Sequence, residues 1–223
     1  MMEVRKEIDK FNYRLWQTLG DGKNVLEVGI GSRPHTMLMF DNHNYFPTDC
    51  VKASWVLPEA KILDVEEMDN SVYWDMDVII ANQMLEHTPH PDKVMASFYK
   101  HLADGGILAI TTPFNYRVHE FDLDNGDTIE EGVKDYWRFT PNGYRVLFQD
   151  AGFESWYITQ VGTDKLNPDV ICGLGFKHVG NVQKEMVHWI GEQELPNNWD
   201  DELKRKLDIY KKEVVKERTW IWG

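Results

Sequence analysis

Apolar positions along this chain follow two alternating periods. In residues 3–19, Val4, Ile8, Phe11, Leu15 and Leu19 fall three and four apart with Lys6, Lys10 and Arg14 between them, which is the spacing of one helix face. Gly20-Asp21-Gly22 ends that helix, and 24–28 reads as a short apolar strand. A short helix is expected at 36–40, followed by strands at 44–49, 61–64 and 75–81, the last nearly all apolar from Val78 onward. Pro47 is awkward inside a central parallel strand, because it has no N–H to give the ladder. Residues 92–102 carry Val94, Phe98 and Leu102 at period four, a helix that Gly105-Gly106 would close. A fifth strand is expected at 107–111, stopped at Pro113.

Residues 114–136 break the pattern: they form an acidic, glycine-containing connection with little periodicity, the kind of long loop that serves as a functional lid or stays disordered. Thr140-Pro141 then caps a helix to about residue 151, with Tyr144, Leu147 and Phe148 apolar. Strands follow near 155–160 and 170–176, and a helix near 199–216 places Leu203, Leu207, Tyr210 and Val214 on one face. Strands alternating with crossovers mean an α/β fold, a doubly wound (Rossmann-like), mostly parallel seven-stranded sheet with helices on both faces. The expected organisation is an N-terminal helix, 1–23, packed on a domain of residues 24–180 with its lid at 114–136, then a helical C-terminal extension, 181–223.

In such a sheet, ligands bind outside the carboxyl ends of the strands. Residues 25–34, Val-Leu-Glu-Val-Gly-Ile-Gly-Ser-Arg-Pro, run from a buried strand into a tight turn with a helix starting near Pro34. Glycines suit that turn because a Cβ would collide with a ligand or forbid its dihedrals. Glu27, Gly29, Asp49, Asp64 and Asn82 all fall at or just past strand ends, on one edge. A carboxylate at Asp49 can accept both hydroxyls of a ribose, or be an ordinary strand-end acid; Asp64 can accept from an adenine amino group, or form a turn.

Composition narrows the partners. The chain carries 24 Lys and Arg against 37 Asp and Glu, a net charge of −13, which opposes a phosphate backbone and an anionic membrane. No nucleic acid and no membrane partner is expected. Hydrophobic content of 42% with 13% aromatics is enough for a sizeable core. Two distant cysteines, Cys50 and Cys172, give no disulfide framework, and the N-terminus has no apolar targeting run, so a soluble, cytoplasmic protein is expected.

Val25–Pro34, Asp49, Leu63-Asp64-Val65, Asn82-Gln83-Met84-Leu85-Glu86-His87 and Leu102-Ala103-Asp104-Gly105-Gly106-Ile107-Leu108 together resemble the class I S-adenosylmethionine-dependent methyltransferases, and within them the type-11 branch. The Gly-Ser-Arg-Pro turn with Asp135-Tyr136-Trp137-Arg138-Phe139-Thr140-Pro141 is similar to a bacterial and phage subgroup associated with glycan modification. The resemblance covers about 24–176. It implies S-adenosylmethionine as cofactor, with Glu27, Gly29 and Gly31 at its methionine end, Asp49 on the ribose, Asp64 and Val65 bordering the adenine, and Asn82 and Gln83 beside the sulfonium. Arg33 stands where the family usually has a third glycine, which puts the usual close helix–strand packing in question.

Methyl transfer from a sulfonium needs in-line geometry and, for a hydroxyl or protonated amine, removal of a proton. His87 and His119 are the candidate bases, with packing or surface roles as their alternatives. Tyr116, Asp135 and Arg138 are candidate acceptor contacts, although Arg138 can equally pair with lid carboxylates. The expected acceptor is a hydroxyl or amine of a small polar or glycan-type molecule, with a homodimer through the C-terminal extension as a further expectation. No metal is expected: residues 122–127 fit no register of a calcium loop, and His87 and His90 lie in a Thr-Pro-His-Pro context that does not form a helical metal face. A nicotinamide-dependent oxidoreductase is the alternative enzyme, disfavoured by Arg33 and Pro34 in place of the third glycine. A non-catalytic cofactor-binding or scaffold protein is the third reading.

Overall fold

A computed structural model describes residues 2–52, 56–70, 72–119, 133–162, 164, 166–178 and 194–213. Among them the order is α1 (Met2–Thr18), β1 (Asn24–Val28), α2 (His35–Met39), β2 (Asn44–Asp49), β3 (Lys61–Ile62), β4 (Met76–Asn82), α3 (Pro91–His101), β5 (Leu102–Pro113), α4 (Pro141–Ala151), β6 (Ser155–Val161), β7 (Val170–Phe176) and α5 (Asp201–Glu213). Short 3-10 turns at Val65–Asn70 and Leu85–His87 follow β3 and β4. The strands form one seven-stranded sheet in the order β3-β2-β1-β4-β5-β7-β6. β1 to β5 are parallel, and β7 is antiparallel to both its neighbours. The order reverses between β1 and β4, so the crevice for a ligand opens at the ends of those two strands.

Helices cover both faces, so the central strands are buried on both sides. On one face Leu26, Val28, Ile79, Leu108 and Ile110 pack against Val94, Phe98, Tyr144 and Phe148 of α3 and α4. On the other, Val25, Val78, Ile80 and Ala109 meet Ile8, Phe11 and Leu15 of α1, Phe40 and, from α5, Leu203 and Leu207. Gly173 and Gly175 of β7 allow the α4 side to come close, since a Cβ there would stand 2.8 and 2.5 Å from the Phe148 ring.

Pro47 does sit in β2, paired with Glu27 of β1. Thr48 bonds toward β1, so Pro47 and Asp49 face β3, and β3 begins pairing only at Thr48. The missing N–H of Pro47 therefore faces no ladder partner. Gly105-Gly106 does not close α3, contrary to expectation. The helix ends at His101, Leu102 is already extended, and the pair lies in a bulge where the β4–β5 register shifts between Met76 and Val78. Gly105 takes φ +79 there and donates to Lys177 O at 2.7 Å.

α5 begins slightly after the expected 199 and closes over α2. Lys206 donates to Leu38 O at 3.1 Å and Tyr210 to Glu59 at 3.0 Å, while Trp199 packs at 5.2 Å from Tyr13 of α1. Residues 120–132 of the expected lid and 181–193 and 214–223 of the expected C-terminal extension lie outside the described residues. No helix among the described residues is long and apolar enough to cross a membrane.

Candidate active site

The end of β1 is fixed through the backbone. Gly29 and Gly31 take φ +74 and +58, and the N–H groups of Gly29 and Ile30 both donate to Thr48 O, at 2.9 and 3.0 Å. A Cβ on Gly29 would lie 2.8 Å from Met84 Cγ, so glycine is required there for both dihedral and space. Gly31 N–H donates to Asp49 Oδ2 at 2.9 Å, tying the turn to the neighbouring strand end. Burial raises the Asp49 pKa, an effect the N–H groups of Gly31 and Val51 partly offset.

Glu27 points to the α1 side of the sheet and is 3% exposed. The Tyr45 hydroxyl donates to its carboxylate. Burial pushes its pKa up to about 7, against the opposing hydrogen bonds of Tyr45, Thr36 and Asn82. At the end of β4, Gln83 takes φ +52, unusual for a side chain that is not glycine or Asn/Asp. Its N–H donates to Thr111 O at 2.8 Å and its amide to Thr111 Oγ1 at 3.3 Å.

These groups line a cavity of about 550 Å³, within the range of small-molecule sites. One wall is α1, which contributes Arg5, Ile8, Asp9 and Asn12. Arg33, in place of a third glycine, reaches across to Asp9 at 3.1 Å. α2 starts directly after Pro34, whose carbonyl accepts from Leu38 N–H at 2.9 Å, so proline begins the helix without the glycine.

At the other end of the cavity stand His87, Asn115, Tyr116 and His119. His87 Nδ1 bonds to Lys134 O at 2.7 Å, and burial lowers its pKa. The His87 and His119 rings meet edge to face at 4.9 Å, and Tyr116 meets His119 at 5.2 Å. Asp135 accepts from the His119 backbone N–H at 2.8 Å and lies 3.0 Å from its Nδ1. Arg138 grips Asp135 and also donates to the carbonyls of Arg117 at 3.0 Å and Trp137 at 2.8 Å. Burial pulls the Asp135 pKa up, but Arg138 and the His119 N–H outweigh it and leave it at about 2. Beneath the histidines, Glu86 is completely buried and neither carboxylate oxygen has a hydrogen-bond partner among the described residues. Burial raises its pKa to about 8.

A family model described as a methyltransferase domain matches residues 3–158, well over half the chain. The chain belongs to the methyltransferase domain family. Its cofactor is S-adenosylmethionine, and the family decides against the nicotinamide and scaffold alternatives. Solved structures share the fold. One is a 1,6-didemethyltoxoflavin-N1-methyltransferase from Burkholderia thailandensis with 1,6-didemethyltoxoflavin and S-adenosylhomocysteine bound (TM-score 0.56, 16% identity, 80% of this chain and 82% of that one). Another is a SAM dependent methyltransferase from Archaeoglobus fulgidus (TM-score 0.55, 10% identity, 78% and 94%). A third is the CurJ carbon methyltransferase (TM-score 0.53, 15% identity), where 75% of this chain spans 54% of that one. A search of curated proteins returns no match.

The methyltransferase's cavity fits its cofactor on three observations: a turn that cannot accept a Cβ, a buried strand-end carboxylate at Asp49, and both amide atoms of cavity-lining Asn12 left without partners among the described residues. Of the residues singled out by sequence, Glu27, Gly29, Gly31, Asp49, Asn82, Gln83, His87, Tyr116 and His119 come together in its wall. Asp64 and Val65 do not. Asp64 is exposed and accepts from Glu66 N–H at 3.0 Å in a turn, while Val65 is buried in the core. Asp135 and Arg138 also stand outside the lining, with the Asp135 side chain fully buried behind His119. They position that end and do not line it. Sequence reasoning passed over the α1 wall, although Arg5, Asp9 and Asn12 recur at helical spacing beside the apolar face. It also passed over Glu86, whose burial no local pattern signals.

Proposed function

We propose that this methyltransferase alkylates a hydroxyl or amine of a small polar or glycan-type acceptor, as a member of the type-11-like, glycan-associated branch. The observation that carries the reading is the pair of edge-to-face imidazoles, His87 and His119, in the same cavity as the Gly29–Gly31 turn. The branch assignment is supported by the motif around Asp135 and Arg138, which here holds the end of the cavity where an acceptor would lie.

S-adenosylmethionine supplies a methyl group already activated by the sulfonium. Glu27, Asn12 and the turn at Gly29 and Gly31 would hold its methionine end, and Asp49 the ribose hydroxyls. Cavity-lining Ile30 and Cys50 take the adenine side in this reading, in place of Asp64 and Val65. Asn82 and the strained Gln83 would set the reacting geometry. His87 and His119 would handle the acceptor's proton, and Tyr116 would line the acceptor's path. Residues 24–180 are the catalytic domain in this reading, with 1–23 as a cavity wall, 114–136 as the lid and 181–223 as the surface for a homodimer. The free thiols Cys50 and Cys172 suit a reducing, cytoplasmic setting.

The test is a calorimetric titration with S-adenosylmethionine, NADH serving as control, followed by transfer of labelled methyl to sugars and nucleotide sugars. Saturable binding of the first ligand only, with label appearing on a sugar, is the expected result. Label appearing only on apolar acceptors, with sugars inert, would discard the glycan reading.

A further inference from the structure

Three ligand-capable side chains meet at the acceptor end of the cavity. Glu86, His87 and His119 each offer one ligand atom, and these atoms lie within 4.8 Å of one another. His87 Nε2 stands 3.7 Å from Glu86 Oε1. We propose that Glu86, His87 and His119 bind a divalent first-row transition ion, which holds the acceptor's oxygen beside the reacting methyl.

Four features argue for a built site. Glu86 is completely buried with both carboxylate oxygens unpartnered among the described residues, so its charged form is costly unless a cation takes the place of its proton. His87 directs Nδ1 to the Lys134 carbonyl at 2.7 Å, which assigns its donor to Nδ1 and leaves Nε2 as the ligating atom. His119 carries Nδ1 at 3.0 Å from Asp135, the carboxylate–histidine pairing that orients a metal-binding imidazole. Arg138 in turn fixes Asp135. Two imidazoles and a carboxylate suit manganese, iron, cobalt or zinc better than calcium or magnesium, and as a facial triad leave positions open for an acceptor. The spacing exceeds that of a closed coordination shell, so the side chains draw together on binding. The second imidazole comes from the segment after β5 and not from His90, the sequence neighbour of His87.

This inference rests on the methyl-transfer reading and changes how the acceptor's proton is handled. A hydroxyl bound to the ion becomes acidic enough to lose its proton to solvent. Its oxygen then bonds to the methyl carbon as the carbon–sulfur bond breaks, and the bonding pair stays on sulfur, giving S-adenosylhomocysteine.

The test is calorimetric titration of the chelator-stripped full chain with Mn²⁺, Zn²⁺ and Mg²⁺, beside a separate titration with S-adenosylmethionine. The expected result is one Mn²⁺ or Zn²⁺ per chain, with Mg²⁺ much weaker. Affinity should fall at least tenfold in His119→Ala and in Glu86→Gln, the conservative second variant, with S-adenosylmethionine binding unchanged in both. Absence of saturable binding by any ion, or affinity unaltered in His119→Ala, overturns the site. Loss of S-adenosylmethionine binding by the unaltered chain would instead refute the parent reading.

Discussion

The two ends of the cavity are built in different ways. At the end by the Gly29–Gly31 turn, the cavity-lining groups sit on strand ends and the turns that leave them: Glu27, Gly29 and Gly31 on one, Asp49 on the next, Asn82 and Gln83 on a third. Their positions are set by ladder bonds such as Gly29 N–H to Thr48 O. At the acceptor end, His87, His119 and Asp135 come from three segments without periodicity, joined by His87 to the Lys134 carbonyl, by Arg138 to the Arg117 carbonyl and by the His119 N–H to the Asp135 carboxylate. The first end follows from the sheet. In the second, Asp135 and its ion-pair partner Arg138 bond from the segment at 133–138 to the His119 N–H and the Arg117 carbonyl, and so staple it to 116–119. A fold can keep a cofactor pocket and re-specify its acceptor by changing such a staple.

At the cofactor end the largest expected effect comes from Glu27. Its pKa is raised from 4.5 to about 7, so between those values the folded chain holds a proton that the unfolded chain has lost. Stability therefore falls as pH rises through that window, by about 3 kcal/mol in all. In chemical denaturation across pH 4.5–8, the stability difference between the unaltered chain and Glu27→Gln should show this decline, since Asp9, His35 and Glu86 titrate alike in both. An equal decline in the variant would mean that another group carries it. Below pH 7, binding of a cofactor ammonium at Glu27 should also release protons, read as a buffer-dependent heat.

Asp135→Ala tests the staple directly. Removing the carboxylate frees Arg138 and the His119 backbone N–H together, so kcat should fall about 100-fold, the scale of a misplaced proton-handling group. Affinity for S-adenosylmethionine should stay within about twofold. A matching loss of cofactor affinity would show that the two ends are one unit. Asp49→Asn makes the converse change. It keeps the volume but loses the charge that accepts from Gly31 N–H, so cofactor affinity should drop about tenfold. Comparable weakening of acceptor KM would contradict the division.

The same contrast explains what was legible in the sequence. The β4 run ending at Asn82 and the β7 run over 170–176 carry their burial in their own composition, and the strand-end residues follow from them. Gly105-Gly106 misled because glycine serves a helix cap and a strand bulge alike; only the pairing with Met76 and Val78 separates them. The sequence leaves Asp64 open between an adenine contact and a turn former; β3 is two residues long and Asp64 accepts from Glu66 N–H in the turn that follows it. The roles of Asp135 and Glu86 depend on which segments meet in space, and no period within either segment encodes that.

Arg33 is the smallest test and lies where sequence and structure most nearly disagreed. Burial raises the Asp9 pKa to about 6, with Arg33 pulling against it, so the pair is an ion pair only above that pH. Arg33 and Asp9 side chains are 27% and 12% exposed, and solvent screening keeps the contribution to about 1 kcal/mol or less. Arg33→Gly restores the family's third glycine and removes the tie to α1. Its destabilisation should be larger at pH 8, where Asp9 is left ionised without its partner, than at pH 5, where Asp9 is protonated. Thermal unfolding at the two pH values reads the difference. An equal loss at both would locate the effect in the added backbone freedom of glycine at the turn, and would make Arg33 a conformational device of the cofactor end with no electrostatic part in holding α1.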